Sequence, residues 1–122
     1  MRKIEAIIRP ERLQDVQDAL DGLGVSGLTV SDVVGCGRQK GYTEQYRGSR
    51  VNISLLPKLK VECVLPADMV DRAVDAVLAA AYTGEAGDGR IFVWEIEQAI
   101  RIRTGERGEE SVRHEAPVGW GH

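Results

Sequence analysis

Two stretches of this 122-residue chain hold residues whose types and spacing suggest chemistry: TGEAGDGR at 83–90 and IRIRTGERGEE at 100–110. Glycine in the first either makes a tight turn or clears the way for something to approach the backbone. Gly87 and Gly89 can turn several backbone N–H groups toward one point, which makes an anion-binding nest. In the second stretch, Arg101 and Arg103 alternate along what reads as an extended segment, so both guanidinium groups face one side and would repel each other unless an anion lay between them. Ion pairs with Glu95 or Glu97 would explain the same arginines without a ligand. The glycine loop is not a Walker-type phosphate loop, although Gly84, Gly89 and Arg90 fit its first part. Arg90 replaces the lysine, Ile91 replaces the metal-binding hydroxyl, and the loop runs from helix to strand instead of strand to helix.

Two β-α-β units position these loops. Ile4, Ala6 and Ile8 alternate with polar residues, a period of two that predicts a strand over 3–9 with one buried face. Pro10 opens a helix whose Leu13, Val16, Leu20 and Leu23 form one stripe, with Gly22 and Gly24 as a stop. GLTVSDVVG at 27–35 predicts the second strand. The order then repeats, with KLKVECVL at 58–65 as a strand, Pro66 and Asp68 opening a helix that carries Val70, Val74, Val77 and Ala81, and RIFVWEI at 90–96 as the last strand. The expected fold is α+β and ferredoxin-like, βαββαβ, a four-stranded antiparallel sheet with two helices on one face. Residues 36–57 join the halves. That connection is far longer than the usual roughly 4–6 residues, so it reads as a functional loop with a plain linker as the alternative, and Val51, Ile53 and Leu55 alternate well enough to extend a strand.

Composition narrows the function. At 43% hydrophobic the chain suits one compact domain. A net charge of −3 and a single Phe argue against nucleic-acid binding. No apolar run reaches the roughly 20 residues that span a bilayer, and MRKIEAIIRP lacks the features of a signal peptide, so a cytoplasmic protein is expected. Cys36 and Cys63 have no metal or redox spacing and are expected to be reduced. His114 and His122 are too few for a metal site.

KIEAIIRP at 3–10, GCGRQKGYTEQYRG at 35–48, LPKLKVE at 56–62, TGEAGDGRIFV at 83–93 and IRIRTGE at 100–106 occur in an order that resembles the PII nitrogen-signalling family. The resemblance covers residues 1–110, with a T-loop at 37–55, a B-loop at 82–90 and a C-loop at 102–110, and leaves 111–122 as a flexible tail. It implies a homotrimer with nucleotide sites in the clefts between subunits. By that resemblance Gly87, Asp88, Gly89 and Arg90 cradle the phosphates of ATP or ADP, with Arg38 on one side and Arg101 and Arg103 from the neighbouring subunit. Gly35 and Gly37 belong to the same site, and Thr29, Glu62 and Val64 match positions around adenine and ribose. Gln39 matches a ligand of Mg2+ in Mg-ATP, which helps hold 2-oxoglutarate. Lys58 and the backbone N–H groups of Gln39, Lys40 and Gly41 complete that effector site.

The implied function is regulation of a target protein of nitrogen metabolism through the T-loop. The resemblance places an ammonium transporter first among partners, contacted by Arg47 with Arg50 beside it; membrane contact would come only through that partner. Solvated surface charge is the alternative for these two arginines. Val51 replaces a tyrosine that many relatives modify covalently, so that switch is expected to be absent. Ser49 matches a position phosphorylated in some relatives, and Tyr42 and Tyr46 are other candidates. An enzyme would need a nucleophile and a base beside the nucleotide, and the sequence offers Asp88 and Glu62 there without a paired histidine. The expectation is a regulator with no catalytic residues. A slow ATPase, with water oriented by Gln39 or the metal, and a regulator of a pathway outside nitrogen metabolism are the rival readings.

Overall fold

The structure, a computed structural model, describes residues 1–25, 27–38 and 53–113. Strand β1 (Arg2–Ile8) leads through a 3-10 turn at Pro10–Arg12 into helix α1 (Leu13–Asp21). Strands β2 (Thr29–Arg38) and β3 (Ile53–Leu65) follow, then a 3-10 turn at Ala67–Met69, helix α2 (Val70–Ala81), strand β4 (Arg90–Glu95) and the short α3 (Glu109–Val112). The sheet order is β2-β3-β1-β4 with every neighbouring pair antiparallel. Helices α1 and α2 pack on one face of that sheet, the ferredoxin-like arrangement that two β-α-β units predict.

Each helix starts one turn after a proline, Pro10 or Pro66, whose fixed φ suits the entry and whose missing N–H leaves nothing unsatisfied there. The first helix ends where Gly24 turns back at φ 86°, and Val25 N–H donates to the Leu20 carbonyl at 3.0 Å. Val25 thereby returns to the core. Arg12 ties the two helices together by donating twice, at 3.0 and 2.7 Å, to the Ala80 carbonyl in the last turn of α2.

The core is built from Ile4, Ala6 and Ile8 of β1 and Val61, Cys63 and Leu65 of β3, covered by Val16 and Leu20 of α1 and Val70, Ala73, Val77 and Ala81 of α2. Ile4 pairs with Cys63 and Val93, and Ala6 with Val61 and Ile91, so one register aligns the apolar face across three strands. The stripe on α2 differs by one position from its sequence pattern. Ala73, 0% exposed, takes the central place and Val74 flanks it, because the 70, 73, 77, 81 spacing also keeps to one face and a methyl fits where the layers approach. Leu20 is 1% exposed, and its truncation to alanine costs about 2–5 kcal/mol.

The strands β2 and β3 pair well beyond the rest of the sheet. β1 pairs with β3 only from Leu59 to Leu65, whereas β2 and β3 continue to the Arg38 and Ile53 pair. Pro57 lies in that two-stranded part, where its missing N–H interrupts no ladder toward β1. The sequence pattern gives a strand at 58–65 and a separate short extension at Val51, Ile53 and Leu55, and β3 runs continuously from Ile53 to Leu65.

The opposite face of the sheet carries Lys3, Glu5 and Ile7 with Lys58, Lys60, Glu62 and Val64, by the same alternation that buries their neighbours. Phe92 and Trp94 share that face and are 44% and 42% exposed. No helix of the described residues is long and apolar enough to cross a membrane.

Candidate functional site

The glycine loop lies between α2 and β4, and its backbone settles whether glycine is needed for turning or for close approach. Both apply. Gly84, Gly87 and Gly89 have φ of 90°, 101° and 104°, all in the left-handed region. A Cβ on Gly89 would also stand 1.7 Å from the Ile7 carbonyl oxygen, so no larger residue fits between this loop and the end of β1. A Cβ on Gly87 would lie 3.3 Å from Arg9 Nη2 and 3.6 Å from Lys58 Nζ. Glycine therefore keeps open the space beside two cations.

The carboxylate of Asp88 holds the loop from inside. Its Oδ2 accepts from the N–H groups of Thr83 at 2.8 Å and Gly84 at 2.9 Å, and its Oδ1 accepts from Arg9 Nε at 2.9 Å and from the Thr83 hydroxyl. The Thr83 oxygen in turn accepts from Glu85 N–H at 3.1 Å. The hydroxyl and N–H of Thr83, then Arg9, then Gly84 hold the Asp88 carboxyl well below the usual carboxylate range. It is a fixed anion with its acceptors in use.

Two cations clip the loop carbonyls. Arg9 Nη2 donates to the Ala86 carbonyl at 2.8 Å, and the Lys58 ammonium donates to the Gly87 carbonyl. No peptide bond among the described residues is cis, so the N–H groups of Gly87 and Asp88 point away from those cations. Lys58, Glu85, Gly87, Asp88, Gly89 and Arg90 line one open pocket of about 480 Å³. Lysine, arginine and glycine backbone in one concavity suit a phosphate or carboxylate ligand.

A second groove, of about 470 Å³, brings together Thr29, Glu62, Val64 and Arg101. Lys3 Nζ pairs with Glu62 at 2.8 Å and lies 5.3 Å from the centre of the Trp94 ring. That pairing pushes Lys3 up and Glu62 down, so both stay charged near neutrality. Within one chain, then, Arg101 lies with Thr29, Glu62 and Val64, and the pocket of Lys58 and Arg90 is separately lined.

The segment around Arg101 departs from the extended run that alternation predicts. Residues 102–104 form a turn, Gly105 N–H donates to the Arg101 carbonyl at 2.7 Å, and Arg101 N–H donates to the Glu106 carbonyl at 2.9 Å. Gly105, at φ 76°, lets the chain reverse, which an arginine-isoleucine repeat does not reveal. The Arg101 guanidinium pairs with Glu106 and donates to the Glu110, Ser111 and Arg113 carbonyls at 3.2–3.3 Å.

Gly35 faces the stem of Lys58, where a Cβ would stand 3.2 Å from its Cγ. Gly37 and Arg38 pair with Ser54 and Ile53 at the end of β2. Gln39, Lys40, Gly41, Arg47, Ser49 and Arg50 lie outside the described residues, as do Tyr42, Tyr46, Val51, His114 and His122. Cys63 is buried, which pushes its thiol up to about 11, and Cys36 is exposed. The Asp88 carboxylate already accepts from four donors, which makes it a poor metal ligand. Arg9 and Thr83 are site residues that the sequence pattern does not single out. The β1–β4 register, which sets Ile7 opposite Arg90 and so brings Arg9 beside Asp88, is the signal that identifies Arg9.

Comparison with known proteins identifies the family. The family profile described as Nitrogen regulatory protein P-II matches residues 1–106. The chain is 56% identical over 112 residues to Nitrogen regulatory protein P-II of Rhodobacter capsulatus, covering 92% of this chain and 100% of that one. It is 50% identical over 112 residues to Nitrogen regulatory protein P-II 1 of Escherichia coli, with the same coverage. Among solved structures, that of B. subtilis GlnK superposes with a TM-score of 0.77 at 41% identity, over 90% of this chain and 96% of that one. A family match over residues 1–106, with relatives 50–56% identical across 92% of the chain, shows that the chain belongs to the nitrogen regulatory protein P-II family.

Proposed function

We propose that this protein is a cytoplasmic sensor that binds ATP or ADP together with 2-oxoglutarate and regulates a target protein of nitrogen metabolism. The names of its relatives as regulatory proteins support the signalling role. The observation that carries the ligand class is the pocket in which Lys58 and Arg90 meet the backbone of Gly87, Asp88 and Gly89. Polyphosphate is the biological anion best suited to several cations and a glycine backbone at once.

In this reading Gly87, Gly89, Arg90 and the main chain of Asp88 hold the phosphates with Arg38, and Thr29, Glu62 and Val64 receive the nucleoside. Arg101 and Arg103 come from the next subunit of a homotrimer. Phe92 and Trp94, large and half-exposed on the sheet face opposite α1 and α2, support burial against other copies. Gln39 and the phosphates hold Mg2+, and 2-oxoglutarate binds against that metal with Lys58 and the backbone of Gln39, Lys40 and Gly41. Arg47 and Arg50 of the loop at 37–55 contact the target, with an ammonium transporter first among candidates. The ligands act as a signal because each shifts the loop only by its differential affinity for the loop's states.

Calorimetry with 2-oxoglutarate tests the reading. Saturable heat is expected with Mg-ATP present and none with ADP in its place. Equally tight binding in both would refute the coupling.

A further inference from the structure

The Asp88 carboxylate poses an electrostatic problem, since a fixed negative charge beside a polyphosphate should weaken binding. Its partners resolve this. Thr83 N–H, Gly84 N–H, the Thr83 hydroxyl and Arg9 Nε all donate to it, so the charge is neutralised within the loop. Arg9 then reaches on to the Ala86 carbonyl at 2.8 Å, and Lys58 takes the Gly87 carbonyl. Those contacts keep two carbonyl oxygens turned toward cations. A carbonyl released from them could swing outward and present a partial negative charge to an incoming phosphate.

We propose that Thr83, Asp88 and Arg9 form a brace that fixes the glycine loop with its carbonyls turned in, making them positioning residues for anion binding. The proposal rests on the nucleotide reading of the pocket and assigns Asp88 a role opposite to that of its charge. Asparagine cannot replace it. The carboxylate accepts from two donors at each oxygen, and an amide offers one acceptor oxygen and one donor NH2. Whichever way the amide turns, its NH2 meets donors.

The experiment is calorimetric titration of the full-length protein with ADP, comparing the wild type with Asp88→Asn, Thr83→Val and Thr83→Ser. A second readout is hydrogen exchange at the amides of residues 83–89. The brace predicts that Asp88→Asn weakens ADP binding about fivefold to tenfold, the scale of one or two lost hydrogen bonds, and speeds exchange at Thr83 and Gly84. Electrostatics alone predicts the opposite sign, because the substitution removes a negative charge near the ligand. Thr83→Val removes the hydroxyl without changing any charge and should weaken binding similarly, and Thr83→Ser should recover the loss. If Asp88→Asn fails to fold, the threonine pair decides. Wild-type binding with unchanged or tighter affinity in the folded variants overturns the brace alone. A wild type that binds no nucleotide overturns the functional reading and this proposal with it.

Discussion

Gly89 lies against Ile7 so closely that a Cβ on it would stand 1.7 Å from the Ile7 carbonyl oxygen, at a φ of 104° that other residues rarely adopt. Gly24, at φ 86°, has nothing within 4 Å of such an atom. The two glycines separate steric exclusion from backbone strain. Gly24→Ala is expected to destabilise the protein by about 1 kcal/mol, the strain alone. Gly89→Ala should cost about 2–3 kcal/mol and abolish nucleotide binding, because the loop must move off β1. Denaturant melts of both variants, with an ADP titration, check this; equal effects would show that the approach to Ile7 carries no weight.

The depressed Asp88 carboxyl gives a pH signature. Its folded value lies below the ordinary 3.8, so its contribution to stability is present above the unfolded value and is lost as pH falls through the folded one. The stability difference between wild type and Asp88→Asn is therefore expected to be constant from pH 7 to about 5 and to shrink below about 4. Urea melts across that range at one fixed protein concentration measure it. A difference that already declines between pH 7 and 6 would mean that another group is responsible.

Arg12 supplies a prediction away from the site. It donates twice to the Ala80 carbonyl, in the last turn of α2, where a cation also complements the helix dipole. Arg12→Ala should lower stability by about 1–2 kcal/mol and leave nucleotide affinity unchanged. Thermal melting beside an ADP titration would show whether the two effects separate.

Much of the fold was readable from local pattern. Alternation at Ile4, Ala6 and Ile8 and the prolines before each helix are properties of the chain itself, and each maps onto an observed element. Ala73 was not readable, because an alanine carries little hydrophobic signal although its position is 0% exposed. Nor was the turn at 102–104, where Gly105 overrides an alternating run. The glycines of the loop at 83–90 were legible in the sequence, but the loop's support was not. Arg9 is 79 residues from Asp88, and only the pairing of β1 with β4 brings them together. Asp88 reads in sequence as a residue facing a ligand, whereas its carboxylate faces the loop's own N–H groups.

The central claim is that the pocket of Lys58, Arg90 and the glycine loop recognises phosphate. Calorimetric titration of the wild-type protein with ATP, and in parallel with adenosine, tests it most directly. Saturable binding of ATP that weakens with added salt, together with much weaker or undetectable binding of adenosine, is the expected result. No heat with ATP at millimolar concentration, or adenosine binding as tightly as ATP, would contradict the claim.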